Sequence, residues 1–128
     1  MARVGGILIQ DKKVLMVLDK NGHYIFPGGK SKHGEKYKDC LKREFYEELS
    51  GTEVLVKGFY RRTHGIHPIT KKGFYSWLYF CYVNEGIGEP SAEIVGKEFV
   101  NSKNMFNLNL TDTARKNLDY LLRDGLID

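Results

Sequence analysis

Apolar residues recur along this chain with two periods. Residues 3–10 and 14–19 are short apolar runs separated by Asp11-Lys12-Lys13, which predicts two strands joined by a tight turn. Lys20-Asn21-Gly22 is a second turn signal, and residues 24–26 form a short predicted strand stopped by Pro27. The period then changes. Over residues 36–49, Leu41, Phe45 and Leu49 stand four apart, the spacing of a helix stripe that packs on a core. Strand patterning returns at 53–64 and 72–83. The second run has aromatic side chains on both faces, Phe74, Phe80 and Tyr82 against Tyr75, Trp77 and Tyr79, and is predicted to be central and covered on both sides. Between these runs, residues 64–68 read as a loop with His64 and His67, exposed or on the substrate side. Residues 84–91 are glycine-rich and polar, hence a loop, 93–100 a last strand and 102–110 a connector. The final helix, 111–124, is capped by Thr111, stopped by Gly125, and carries Ala114, Leu118, Leu121 and Leu122 on one face. Strands with two interspersed helices predict an α/β fold with a mixed sheet and a helix against each face.

Composition narrows the class. A chain of 128 residues, 41% hydrophobic and 28% charged, suits one domain over residues 1–128 with a real core. No apolar stretch approaches a membrane span, and the N-terminal run is short, holds two glycines and is followed by charge, so no membrane partner and a cytoplasmic location are expected. Cys40 and Cys81 have no second thiol close in sequence and are expected to be small buried hydrophobes. The net charge of +4 suits an anionic partner, whether a nucleotide or nucleic acid, and equally suits plain solubility.

The predicted first helix carries the candidate chemistry. Glu44, Glu47 and Glu48 fall on an arc beside the apolar stripe, near the helix C-terminus. There the dipole disfavours each anion by roughly 0.3–1 kcal/mol, and Glu44 and Glu48 are like charges four residues apart. A solvated acidic face is the ordinary explanation of such a run. Here the pattern is unfavourable without a cation, borders a buried stripe and follows the glycine pair Gly28-Gly29. Hard oxygen ligands in this number suit Mg²⁺ or Mn²⁺, with waters and substrate phosphates completing the shell.

These residues also carry a resemblance. Gly29, Glu35, Arg43, Glu44, Phe45, Glu47 and Glu48 stand at the spacing of the Nudix box, and the upstream VLMVLDKNGHYIFPGG is similar to that family's approach to its box. Ser50 replaces the glycine usual after the Glu-Glu pair. Gly51 follows it, so the helix end is expected to shift by one residue. The resemblance implies a Nudix-type α/β/α sandwich with a mixed central sheet and a catalytic loop-helix. It also implies metal-dependent hydrolysis of a nucleoside diphosphate linked to another group X, giving a nucleoside monophosphate and phosphorylated X. By position, Glu44, Glu47 and Glu48 become metal ligands with the backbone carbonyl of Gly28. Glu44 is the candidate for activating water, and Arg43 holds a glutamate, most simply Glu47. Glu93, rather than Glu85 or Glu89, is the candidate carboxylate from a later loop. Lys30 and Arg61 are the substrate-binding candidates, while Glu35 is expected at the helix start in a role at least partly structural.

The expected substrate is a nucleotide-type small molecule, either a nucleoside triphosphate, as for enzymes of the MutT type, or ADP-ribose, to which Pro68 points. Tyr60, Trp77 and Tyr79 are potential base-stacking residues, though core packing is the commoner use of strand aromatics. A non-catalytic nucleotide sensor and an RNA-cap or RNA-binding hydrolase are the competing classes. Nucleic acid is the less favoured partner, because no RNA-binding motif accompanies Arg61-Arg62 or Lys71-Lys72. A homodimer is compatible with the sequence.

Overall fold

The computed structural model describes residues 2–128. Eight strands, β1 (Ala2–Ile7), β2 (Ile9–Gln10), β3 (Lys13–Asp19), β4 (Tyr24–Ile25), β5 (Gly28–Gly29), β6 (Leu55–Ile66), β7 (Gly73–Tyr82) and β8 (Ile94–Val100), accompany helices α1 (Tyr37–Glu48) and α2 (Asp112–Arg123). One sheet runs β5-β1-β7-β6. It is mixed, because β1 pairs parallel with β7 while β5 and β6 pair antiparallel with their neighbours. In the second sheet β3 is central, flanked by β8 and by the short β2 and β4.

Strand alternation builds two cores. On one side Val4, Leu8, Leu15, Val17, Tyr79 and Cys81 meet the α1 stripe Leu41, Phe45 and Leu49; on the other Ile7, Val14, Met16 and Leu78 meet Ala114, Leu118 and Leu121 of α2. The result is an α/β/α sandwich with a helix against each face, as predicted. Both cysteines are free and buried. Asp11 and Lys12 adopt positive φ in the two-residue turn between β2 and β3, the geometry that suits strand twist. Thr111 caps α2 by accepting from the Ala114 N–H at 3.1 Å.

Three expectations need correction. Gly28-Gly29 is a strand paired with β1, because residues without Cβ can lie directly on Val4 and Gly5. The strand expected to end at His64 continues to Ile66, its ladder carried on by Gly65 opposite Phe74 and Ile66 opposite Gly73, so the loop is 67–72. β7 is central and buried on both faces only at its inner part, through Leu78, Tyr79 and Cys81; Tyr75 and Tyr82 are exposed.

Candidate active site

The site forms where α1 passes beneath β5. Gly28 has φ +146, and a Cβ there would lie 2.0 Å from the Val4 carbonyl oxygen, so this position admits only glycine. At Gly29 a Cβ would lie 2.6 Å from Glu44 Oε1. The missing side chains therefore let the backbone rest directly on the α1 carboxylates. The Gly28 N–H donates to Glu48 Oε1 at 3.1 Å.

Arg43 organises the acidic groups. Its Nε and Nη2 donate to the two carboxylate oxygens of Glu35 at 2.8 and 3.0 Å, and Nη1 donates to Glu44 Oε1 at 2.8 Å. The expected Glu47 partner is reached only at 3.4 Å, because the planar fork is already satisfied by Glu35 in a bidentate pair. Glu35 precedes α1 and owes its place to Arg43 and the Lys32 N–H, not to the helix dipole. Those hydrogen bonds, that from Arg43 foremost, hold its carboxyl down to about 2. Arg43→Lys keeps the charge and loses the fork. It is expected to lower turnover by about 10–100-fold, as loss of a supporting partner does. Steady-state kinetics within about twofold of wild type would contradict that role.

Glu48 is buried, and burial above all pushes its carboxyl up to about 8, helped by the charge of Glu44 and opposed by Arg3 and the Gly28 N–H. The sign of its effect on folding follows. With its folded value raised above the ordinary 4.5, Glu48 contributes stability that is full below about 4.5 and lost as pH rises through about 8. Glu35 acts oppositely, its contribution present above about 4.5 and lost as pH falls towards about 2. Thermal melting in chelator is thus expected to decline on the alkaline side through pH 8, and added Mg²⁺ to flatten that decline by favouring the carboxylate. A metal-insensitive alkaline limb would contradict it.

The helix end is shifted as expected. Gly51 takes φ +76 and its N–H reaches the Tyr46 carbonyl at 2.9 Å. The loop before β8 closes the same end: Ser91 donates its N–H to the Glu48 carbonyl at 2.9 Å and its hydroxyl to the Glu47 carbonyl. This seat brings Glu93, two residues on, to the wall of the cavity.

That cavity, about 830 Å³, runs from Glu44 and Glu48 past Gly28, Gly29 and Lys30 to the start of α2. Glu93, Arg43 and Pro68 line it as well. Two sequence candidates do not. The Glu47 carboxylate is 49% exposed and faces outward beside Arg43. Arg61 lies with its guanidinium 3.7 Å from the Tyr120 ring centroid of α2, outside the cavity, because its position on β6 turns it towards that helix. Neither Tyr60, Trp77 nor Tyr79 reaches the lining. Sequence reasoning missed Arg3, which lines the cavity and donates to the Phe26 carbonyl at 2.6 Å. It also missed the buried polar group Ser76, Thr113 and Asn117 at the far end. The available signal was alternation: Arg3 shares the face of Gly5 and Ile7, opposite Val4.

The sequence matches the NUDIX domain family over residues 1–123. The chain belongs to the Nudix family. An 8-oxo-dGTP diphosphatase from Haemophilus influenzae is 42% identical over 65 residues, covering 51% of this chain and 44% of that protein. A MutT protein from Methanosarcina mazei Go1 superposes with TM-score 0.81 at 18% identity over 98% of this chain and 94% of the other. An ADP-ribose pyrophosphatase from Streptococcus suis gives 0.73 at 21% identity, covering 97% and 90%. A UDP-X diphosphatase gives 0.78 at 17% identity, covering 98% of this chain and 63% of that one. At such identities the structural likenesses establish the fold alone. The chain spans under half the length of the Haemophilus relative and less than two thirds of the UDP-X diphosphatase.

Nudix hydrolases use divalent metal ions, and the donor set here fits one. Two neighbouring carboxylates, Glu44 and the buried Glu48, share a site in which Arg43 is divided between Glu35 and Glu44 and makes no bond to Glu48, an arrangement that further positive charge would stabilise. Among the described residues no three Asp, Glu, His or Cys side chains converge to enclose an ion. The Glu44 and Glu48 carboxylates suit Mg²⁺, which keeps waters and takes substrate phosphates alongside one or two carboxylates.

Proposed function

We propose that this Nudix chain, as one domain, is a metal-dependent nucleotide pyrophosphohydrolase that cleaves a nucleoside diphosphate linked to X into a nucleoside monophosphate and phosphorylated X. The observation that carries this reading is the buried Glu48 carboxyl beside Glu44, lying on the Gly28-Gly29 backbone at one end of a cavity sized for a nucleotide. Glu44, Glu47, Glu48 and the carbonyl of Gly28 would hold Mg²⁺ or Mn²⁺, and the bound ion would neutralise phosphate charge and acidify an attacking water.

The chain's own groups supply the rest. Arg43 fixes Glu44 through Oε1, leaving the other carboxylate oxygen to accept the proton of the attacking water. Glu93 is a second carboxylate at the same wall, and Lys30 and Arg3 bring positive charge to the diphosphate. Glu47, beside Glu48 and three residues from Glu44 on the same helix, is the further candidate ligand.

A nucleoside triphosphate is the favoured substrate, supported by the 8-oxo-dGTP diphosphatase likeness over 65 residues. Pro68 in the lining keeps ADP-ribose as the second reading. A panel of ordinary and oxidised nucleoside triphosphates, ADP-ribose, dinucleoside polyphosphates and capped RNA, assayed with Mg²⁺, tests this. Preferential turnover of a triphosphate is expected. Binding of several nucleotides with no turnover of any would instead support a sensor.

A further inference from the structure

The β6–β7 hairpin has a face the cavity does not use. Ser76 and Leu78 point to the cavity side, so Tyr75, Trp77 and Tyr79 point to the opposite one, where cross-strand pairing sets His64, Arg62 and Phe59 beside them in turn. The rings form a continuous surface: Tyr37 stacks on Tyr79 at 4.2 Å, Phe59 meets Tyr79 at 5.4 Å and Trp77 at 5.8 Å, and His64 meets Tyr75 at 5.1 Å. The Arg62 guanidinium lies 4.8 Å from the Tyr75 centroid and 5.6 Å from that of Trp77. Although α1 covers Tyr79, the surface is open beyond it, with Phe59 52% and Tyr75 44% exposed.

Charge sets this hairpin apart from the rest of the chain. Residues 54–83 hold five lysines and arginines and no carboxylate, whereas elsewhere fifteen basic side chains are outnumbered by sixteen acidic ones. The excess positive charge of the whole protein thus resides in the hairpin. An apolar protein partner would need only the rings. Rings at intervals of about 7 Å along a strand, with the Arg62 guanidinium over two of them and no carboxylate within the hairpin, match a ligand that alternates flat π-faces with negative charge.

We propose that the Phe59, Arg62, Tyr75 and Trp77 face binds single-stranded nucleic acid, its bases stacking on the rings and its phosphates meeting Arg62 and the neighbouring Lys57. This surface is independent of the hydrolytic site. It gives the basic hairpin the nucleic-acid role that its sequence, lacking a known motif, left as the less favoured reading.

Trp77 is the single tryptophan and so reports directly on the face. The full chain is titrated with a twelve-nucleotide oligouridine bearing 5′ and 3′ hydroxyls, which offers no diphosphate to hydrolyse, following Trp77 quenching and the anisotropy of a labelled copy at several salt concentrations. Saturable quenching that weakens with salt is expected. Phe59→Ala and Arg62→Ala should each weaken binding by about tenfold, the effect of removing one stacking partner. Lys57→Glu, an exposed change remote from the packing, should weaken it and make its loss with salt shallower, since fewer counterions are then released. Nucleotide turnover should stay within about twofold of wild type in all three variants, and Glu48→Gln should bind the oligonucleotide normally. The proposal is overturned by an absence of quenching at low salt, by unchanged affinity in Lys57→Glu and Arg62→Ala, or by displacement of the oligonucleotide with a mononucleotide substrate, which would place the strand in the cavity. Self-association of the free protein that Phe59→Ala abolishes would also overturn it, assigning the face to a second copy.

Discussion

Glu48→Gln is expected to lower kcat/KM by about a thousandfold or more, roughly 4 kcal/mol of transition-state stabilisation, without destabilising the metal-free protein. The reason lies in the two demands on this carboxyl. Burial favours its neutral form, and glutamine mimics that form in size while its oxygen still accepts from the Gly28 N–H. Cation binding demands the ionised form, which glutamine lacks. Stability and activity should therefore separate: unchanged or raised melting in chelator, with the Mg²⁺-dependent rise lost. Glu47→Gln provides the comparison. Box spacing alone predicts a loss of several orders of magnitude there too, whereas its exposed position beside Arg43 predicts a smaller loss than at Glu48. Wild-type turnover by Glu48→Gln in Mg²⁺ would remove it from the metal site.

The glycine pair should separate in a different way. Gly28→Ala puts a Cβ 2.0 Å from the Val4 carbonyl oxygen at φ +146. Both the clash and the strain involve backbone, so relief requires breaking the β1–β5 pairing. Destabilisation of more than about 4 kcal/mol, or failure to fold, is expected. In Gly29→Ala the new Cβ meets the end of a side chain, Glu44 Oε1 at 2.6 Å, which can swing away. That variant should fold with a cost of about 1–3 kcal/mol but lose about a hundredfold in turnover, since the displaced group is the candidate base. Denaturant unfolding and kinetics on both variants check this, and equal behaviour of the two would contradict it.

Legibility in the sequence followed the range of the interactions. The Leu41, Phe45, Leu49 stripe is completely buried, and the α2 cap at Thr111 formed as read, because both depend on residues within one or two turns. Glu44 and Glu48 were legible for the same reason: helix spacing alone puts them together. What escaped was set by distant parts of the chain. The bidentate Glu35–Arg43 pair ties the non-helical segment before α1 back onto the helix, which helix spacing does not foretell, and Ser91 reaches back across 44 positions to the Glu47 carbonyl. Arg61 and Arg62 are adjacent in sequence, and strand alternation sends one to Tyr120 of α2 and the other to Tyr75 and Trp77. A basic pair that looked like one feature is thus two.

The proposed chemistry of the Glu44–Glu48 pair is metal-dependent cleavage within a diphosphate. Product analysis of nucleoside triphosphate hydrolysis by the wild-type chain, by chromatography with Mg²⁺ and in chelator, tests it most directly. Nucleoside monophosphate and pyrophosphate are expected in Mg²⁺, and none above background in chelator. Nucleoside diphosphate and orthophosphate as products, or equal turnover without metal, would contradict it.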